Sequence, residues 1–226
     1  MSNFWITITD FGSAAVTVPL AIALTLWLLC ARAWHTALVW VALFGAGSFV
    51  VAVSKVMFLG WGLGVREIDF TGVSGHTMFA ATVYPVMAWL LLRKLAWPWR
   101  ALGVLAAAAG SVAVGVSRIA LSAHSVSESV AGCVVGFSVW AAFAWFTRGD
   151  DTPNVKTLPM AASLFALMIW LHGESVPTQR WITDIALMMS GREQPFKRYS
   201  WLARKPSPLP SAPAIPSPVG APSSVR

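Results

Sequence analysis

The chain has 226 residues, of which 57% are hydrophobic and 11% are charged. Soluble domains carry about a quarter charged residues, so this composition excludes a soluble enzyme, a disulfide scaffold and a disordered chain. The net charge of +7 does not indicate nucleic acid as a partner, because the basic residues are scattered through short loops and a tail and form no single stripe.

Long apolar runs define the predicted elements. They predict an all-α fold, a polytopic membrane helical bundle with about six transmembrane helices, because each run approaches the length that crosses about 30 Å of hydrocarbon. The runs lie at about 14–31, 36–54, 77–92, 101–117, 126–146 and 158–171. The first is too long for a typical signal peptide, so we expect it to remain as an anchor. The sixth is short and contains Pro159, so an interfacial or re-entrant helix is the alternative there.

The basic residues between the runs are distributed unequally between the two sides of the membrane. The loops after the first, third and fifth runs hold Arg32, Arg93, Lys94, Arg100, Arg148 and Lys156. The alternate loops hold Lys55, Arg66 and Arg118, with Glu67 and Asp69. By the positive-inside rule the first set is cytoplasmic, so loops 55–76 and 118–125 face the periplasm or the cell exterior. An even number of crossings places the C-terminus outside as well, whereas seven basic residues after the sixth run favour the cytoplasm.

The composition changes after residue 172. We expect residues 1–172 to form the membrane domain and residues 173–205 to lie outside the hydrocarbon, with Trp181–Met189 as a candidate interfacial amphipathic helix. Seven of the 21 residues in 206–226 are proline, which predicts a disordered tail.

A few polar residues lie at the outward-facing ends of the predicted helices, where burial in lipid is costly. They are Lys55 after the second run, Ser74-Gly75-His76 at the start of the third, Ser117-Arg118 at the end of the fourth, and His124 and Glu128 at the start of the fifth. Because successive spans alternate in direction, these points meet at one face of the membrane. We therefore expect them to surround one pocket.

Each residue alone has an ordinary explanation. Lys55 can snorkel to the interface, Ser74 can cap a helix, and a histidine or Arg118 can serve as an interfacial polar group. Glu128 is harder to explain, because it is the only acid within the six runs. It follows His124 by four residues, which places the two side chains on one helix face within hydrogen-bond reach. A carboxylate behind an imidazole fixes the tautomer that a nucleophilic or basic histidine needs.

Together these residues predict a phosphate site. Lys55 and Arg118 supply cationic donors, and the amides around Ser74, Gly75 and His76 direct a helix N-terminus at an anion. Two histidines allow one to attack phosphorus while the other protonates the leaving oxygen. The sequence has no carboxylate cluster for magnesium and no Cys/His set for zinc, so no metal or other cofactor is expected.

These motifs resemble the three-part signature of the type 2 phosphatidic acid phosphatase family, which includes the vanadium haloperoxidases. The parts are Lys55, then Ser74-Gly75-His76, then Ser117-Arg118 followed by His124 and Glu128, and they cover roughly residues 50–150. For this membrane branch, the resemblance implies metal-independent hydrolysis of a lipid phosphate. It implies that His124 is the nucleophile that forms a phosphohistidine, that Glu128 orients it, and that His76 is the general acid. It also implies phosphate binding by Lys55, Ser74, Gly75 and Arg118.

Three positions depart from the family pattern. Val73 stands where Pro is usual, and Glu128 stands where Asp is usual. Gly62, seven residues after Lys55, stands where the first motif usually has Arg. Arg66 lies four residues further on and is the candidate substitute donor; the alternative is a site that is short of one phosphate donor and is slower or differently selective.

Three functions are compatible with these residues. The first is hydrolysis of a phosphomonoester or diphosphate of a membrane lipid, such as phosphatidic acid, phosphatidylglycerol phosphate, a polyprenyl diphosphate or a lipid A phosphate. The second is transfer of the phosphoryl group to another lipid through the same intermediate. The third is non-catalytic lipid binding or transport, which does not require a histidine with an orienting carboxylate. The partners expected are therefore membrane lipids.

Overall fold

The computed structural model describes residues 2–150, 156–174 and 176–199, and this part of the chain forms eight α-helices and one short 3-10 helix. The α-helices are α1 (Ser2–Asp10), α2 (Ala14–Cys30), α3 (Trp34–Trp61), α4 (Gly75–Leu91), α5 (Trp97–Ala120), α6 (Val126–Phe146), α7 (Thr157–Trp170) and α8 (Thr178–Ser190). The 3-10 helix, Arg66–Ile68, lies between α3 and α4. The proline-rich segment 206–226 lies outside the described residues.

The helices confirm the predicted all-α polytopic bundle. By length and composition, four helical segments can cross a membrane: Asn3–Cys30, Trp34–Trp61, Trp97–Ala120 and Val126–Phe146. The third and sixth predicted runs form shorter helices, α4 with 17 residues and α7 with 14 residues. At 1.5 Å per residue α7 is about 21 Å long, which is shorter than the hydrocarbon core of about 30 Å.

The short helix α7 connects opposite ends of the bundle. Before it, Asp150 accepts hydrogen bonds from His35 (2.9 Å) and Thr36 (2.6 Å) at the start of α3. After it, the ring of His172 lies 4.4 Å from that of Phe11, just before α2. Because α2 and α3 run in opposite directions, these are opposite ends. The segment that follows α7, including α8, therefore lies at the end where α2 begins.

The N-terminal residues form a helix that the apolar runs did not predict. This helix, α1, packs against α5. Gly12 follows it, and a Cβ at this position would lie 2.5 Å from Val114 Cγ1 and 2.9 Å from the carbonyl oxygen of His76. Only a residue without a side chain allows this turn to pack against α4 and α5 so closely.

The centre of the bundle is α4, in which ten of 17 residues are buried. Its neighbour α6 presents Gly132 and Gly136 to it. A Cβ at Gly132 would lie 2.8 Å from the carbonyl oxygen of Ser74, and one at Gly136 would lie 2.6 Å from both Ala81 Cβ and the carbonyl oxygen of Met78. Small residues let helix backbones approach in this way. The close packing holds the N-terminal ends of α4 and α6 side by side.

The variant Gly136→Ala tests this packing. Its added Cβ collides with backbone and side-chain atoms of α4, and overpacking of this kind costs about 1–3 kcal/mol. We therefore expect a lower midpoint of thermal unfolding in detergent. Gly45→Ala in α3 is the matched control, because nothing lies within 4 Å of its added Cβ. Equal midpoints for the two variants would contradict the close contact between α4 and α6.

Candidate active site

The start of α6 brings a histidine within hydrogen-bond distance of a carboxylate. Ser125 is the N-cap, and it forms a capping box with Glu128: the Glu128 amide donates to Ser125 Oγ (3.3 Å), and the Ser125 amide donates to Glu128 Oε2 (3.2 Å). His124 directly precedes the cap, and its Nδ1 lies 2.6 Å from Glu128 Oε2. Because an ionised carboxylate only accepts hydrogen bonds, Nδ1 carries the proton and Nε2 keeps a free lone pair.

Glu128 has no exposed surface and is held from several directions. Its Oε1 accepts hydrogen bonds from the amide (2.8 Å) and the hydroxyl of Thr71, in the loop before α4. Its Oε2 also lies 2.5 Å from Arg198 Nη2, in the segment after α8. A buried carboxylate requires such compensation, since an unpaired charge in a low-dielectric environment is strongly unfavourable. These contacts fix the carboxylate behind His124.

His124 lies in the loop between α5 and α6, and its side chain is 14% exposed. Burial lowers the pKa of His124 below its ordinary value, and the hydrogen bond and charge of Glu128 oppose this shift only in part. The imidazole is therefore mainly neutral near pH 7. A neutral ring with Nε2 unprotonated is the form that can act as a nucleophile or a base.

Two cations predicted from the sequence line the same cavity as His124. Lys55 lies six residues before the end of α3, and its Nζ donates to Oε1 of Gln179 in α8 (3.3 Å). Arg118 lies in the last turn of α5, and its Nη1 donates to Thr9 Oγ1 in α1 (3.1 Å). The Nε of Arg118 is buried and has no hydrogen-bond partner among the residues that the structure describes. Arg118 therefore brings to the cavity wall a guanidinium whose donors are only partly used by contacts within the protein.

The start of α4 supplies the second histidine. Gly75 and His76 line the cavity, and the first amides of a helix have no intrahelical partner. Ser74, for which the resemblance implied phosphate binding, does not line the cavity. It is fully buried, its hydroxyl lies 3.0 Å from Thr77 Oγ1, and its amide donates to the carbonyl oxygen of Glu128 (3.1 Å). Ser74 thus joins α4 to α6 beneath the cavity, and it does not line the wall.

A third cation enters the site from a residue that the sequence did not single out. Arg66 is in the 3-10 helix and is absent from the cavity wall, whereas Arg198 lines it. Gly62 ends α3 with a φ of +70°, and a Cβ there would lie 2.9 Å from the ring of Phe196. The space that a side chain at position 62 would use is therefore occupied by the segment that carries Arg198.

These residues surround a cavity of about 680 Å³. Its polar wall contains Lys55, Thr71, Gly72, Gly75, His76, Arg118, His124 and Arg198. Its apolar wall includes Val51, Phe58 and Phe79 of the bundle together with Trp181, Ile182 and Ile185 of α8. A volume of this size is typical of small-molecule sites. The arrangement suits a ligand with an anionic group at one end and apolar substituents at the other.

Comparison with known proteins identifies the family. Residues 64–150 match the family model of the PAP2 superfamily. The chain is also 34% identical, over 203 residues, to the "uncharacterized 22.5 kDa protein in cps region" of Klebsiella pneumoniae, and the alignment covers 86% of this chain and 95% of that protein. The chain belongs to the PAP2 superfamily. No solved structure gives a significant match to it.

A second relative of this PAP2 superfamily member has a named activity. Over 89 residues the chain is 35% identical to phosphatidylglycerophosphatase B of Bacillus subtilis (strain 168), an alignment that covers 38% of this chain and 42% of that protein. The region matched by the family model contains His76, Arg118, His124 and Glu128. Lys55 and Arg198 lie outside it.

Sequence reasoning missed several residues that shape the site. The pattern Ser125-x-x-Glu128 is a capping-box signal and was available in the sequence. Thr71 and Thr9 lie in no recognisable pattern, and their roles depend on which helix ends meet in space. Arg198 was grouped with the basic residues of the C-terminal segment, and no local feature distinguishes it from them.

Proposed function

We propose that the protein is an integral membrane, metal-independent phosphatase that hydrolyses a phosphomonoester or diphosphate of a membrane lipid through a phosphohistidine intermediate. The observation that supports this most directly is the His124–Glu128 hydrogen bond of 2.6 Å in a cavity that also contains His76, Lys55 and Arg118. A binding protein needs cations for a phosphate, but it does not need a second histidine beside a histidine oriented by a buried carboxylate.

In the first step the phosphate group is held by Lys55, Arg118 and the amides that begin α4. His124 Nε2 attacks phosphorus, and the bond between phosphorus and the leaving oxygen breaks. His76, which takes up a proton together with the anionic substrate, donates it to that oxygen, so the lipid leaves as an alcohol, or as a monophosphate when the substrate is a diphosphate. The ring of His124 then carries a positive charge, which Glu128 stabilises through Nδ1–H.

In the second step water replaces His124 on phosphorus. His76, now neutral, accepts a proton from the attacking water, and the bond between Nε2 and phosphorus breaks to release inorganic phosphate. His76 thereby serves as the acid in one step and the base in the next, and the two steps together consume one water. The site returns to its starting protonation state.

A lipid substrate is supported by the position and the shape of the cavity. The polar wall lies at the ends of membrane-length helices, and the apolar wall continues from it along α3 and α8. A lipid phosphate has the same order of groups, with an anionic headgroup joined to apolar chains. The name of the Bacillus subtilis relative, phosphatidylglycerophosphatase B, also denotes a phosphatase for a phosphorylated lipid.

The cations of the site support chemistry without a metal ion. Lys55 and Arg118 supply positive charge where phosphate charge must be neutralised. Within residues 2–150, 156–174 and 176–199, no group of three or more His, Cys, Asp and Glu side chains could hold a metal ion. Activity is therefore expected to survive a chelator.

We further propose that the site opens to the outer face of the cell membrane. Arg93 and Arg148 lie at the opposite end of the bundle from His124, where Arg93 donates to the carbonyl oxygens of Thr147 (3.2 Å) and Asp150 (2.8 Å). The positive-inside rule assigns that end to the cytoplasm.

Phosphate release from a panel of lipid phosphates, by purified protein in detergent with chelator present, tests the proposed chemistry. His124→Ala should reduce the rate to background, and His76→Ala should reduce kcat by roughly 10²–10⁴-fold because the leaving oxygen loses its acid. His35→Ala, at the opposite end of the bundle, is the matched control and should retain wild-type activity. Unchanged rates in both site variants would refute the proposal. Transfer of phosphate to a second lipid without release would favour a phosphotransferase.

The pH dependence of kcat/KM tests the pairing of His124 with Glu128. The carboxylate raises the pKa of His124 against the effect of burial. Glu128→Gln removes the negative charge, so the pKa of His124 should fall and the acid limb of kcat/KM should move to lower pH. The maximum rate should also fall, by roughly 10²–10⁴-fold. Glu128→Asp keeps the charge and should keep the limb near its wild-type position. A limb that moves to higher pH in Glu128→Gln would contradict the assigned roles.

Reporter fusions test the orientation of the site. A fusion after residue 150 should report the cytoplasm, and one after residue 205 should report the outer side, because α7 connects opposite ends of the bundle. A cytoplasmic signal after residue 205 would mean that α7 does not cross the membrane. An outer signal after residue 150 would reverse the proposed orientation.

A further inference from the structure

The segment after α8 delivers a cation to the cavity from outside the region that matches the family model. We propose that Arg198 is a further phosphate-binding residue of this site, held in place by Phe196 packed on Gly62. The inference rests on the proposed function in one respect, since its ligand is the phosphate group of the substrate.

Arg198 is oriented by the protein before any ligand arrives. Its Nη1 donates to Asp69 Oδ2 (3.0 Å), and its Nη2 donates to Thr71 Oγ1 (3.2 Å) and lies 2.5 Å from Glu128 Oε2. These contacts use three donations, whereas a guanidinium has five N–H donors. The side chain is 31% exposed and lines the cavity, so part of it faces the space that a ligand would fill.

The charge of the cavity wall suits a multiply charged anion. Among the described residues that line it, the charged ones are Lys55, Arg118 and Arg198. The two acids that contact Arg198 do not line the cavity: Glu128 is fully buried behind His124, and Asp69 lies outside the wall. A phosphomonoester near neutral pH carries a charge between about −1.5 and −2. A third cation with planar, paired donors is well matched to it.

Two contacts dock the segment on the end of α3. The amide of Phe196 donates to the carbonyl oxygen of Leu59 (2.9 Å), and the ring of Phe196 covers Gly62. Before this segment, α8 itself packs against α3 so closely that a Cβ at Gly60 would lie 3.1 Å from the carbonyl oxygen of Ala186. Gly60 and Gly62 thus leave room for a chain segment to lie against α3. Arg198 follows Phe196 by two residues and reaches the cavity from this docked position.

Equilibrium binding of inorganic phosphate, measured by titration calorimetry on the detergent-purified full chain, tests the assignment without requiring turnover. Arg198→Ala should weaken binding about 10–100-fold, the equivalent of one charged hydrogen-bonding group. Arg198→Lys keeps the positive charge but lacks the planar, paired N–H donors of a guanidinium, so it should weaken binding less. If Arg198→Ala does not fold, the affinity of Arg198→Lys tests the proposal in its place. Arg180→Ala, an exposed arginine on α8, is the matched control and should bind as wild type. Arg66→Ala should also leave the affinity unchanged.

Matched glycine variants test the docking contact. Gly62→Ala places a Cβ against Phe196, so it should displace the segment and reproduce the weaker phosphate binding while Arg198 remains in the chain. Gly191→Ala introduces an alanine at a similar positive φ, +66° against +70°, but nothing lies within 4 Å of its Cβ. It should therefore share the backbone strain of Gly62→Ala but not the loss of affinity. Equal affinities in the two variants would overturn the role of the docked segment.

A second arm, measured with the His124→Ala substitution present so that no hydrolysis occurs, replaces inorganic phosphate with phosphatidic acid in mixed micelles, with phosphatidylcholine micelles as the blank. Weaker binding by Arg198→Ala in both arms supports contact with the phosphate group itself. Unchanged affinity for inorganic phosphate with a lower kcat would mean that Arg198 only positions Glu128, and would overturn the proposal. Weaker binding confined to the lipid arm, or a loss of phosphate affinity in Arg66→Ala alone, would also overturn it.

The same measurements separate this inference from the proposed function. Phosphate binding that is equal in wild type and Arg198→Ala contradicts the role of Arg198 and leaves hydrolysis by His124 intact. Phosphate binding that depends on Arg198 without any lipid phosphate hydrolysis contradicts the phosphatase and supports the binding role. Absence of phosphate binding to the wild-type protein would contradict both.

Discussion

The fully buried carboxylate of Glu128 is the constraint on which the rest of the site depends. At the end of a membrane helix, a charge without partners would be strongly destabilising. The protein compensates it with donors from separate parts of the chain: Thr71 before α4, His124 and Ser125 at the start of α6, and Arg198 after α8. The need to satisfy one carboxylate therefore brings together the same segments that form the cavity.

Close helix packing makes this arrangement possible. Gly132 in α6 and Gly115 in α5 allow both helices to approach Thr77 of α4, where an added Cβ would lie 2.9 Å and 3.1 Å from its side chain. Larger residues would separate the helices and widen the distance between the two histidines. The small residues inside the bundle thus set the geometry of polar residues that lie near the ends of the helices.

Local patterns in the sequence accounted for part of this structure. The i, i+4 spacing predicted the contact between His124 and Glu128, and the alternation of helix direction predicted that Lys55 and Arg118 would reach the same cavity as His76. Other features could not be predicted in this way. Arg198 is separated by 127 residues from Thr71, its hydrogen-bond partner, and α1 has no long apolar run, so neither leaves a local signal. The amide of Ser74, which the sequence predicted to face an anion, instead donates to the carbonyl oxygen of Glu128 in α6.

The sequence by itself determined the membrane class, the helical fold and the kinds of polar residue at the helix ends. These properties follow from the length of apolar runs and from the 3.6-residue period of a helix, both of which are local. Only the tertiary structure decided that Arg198, and not Arg66, is the third cation of the cavity wall, and which donors hold the carboxylate. Those contacts join residues far apart in the chain, and they exist only after the helices have packed and the segment after α8 has docked on α3.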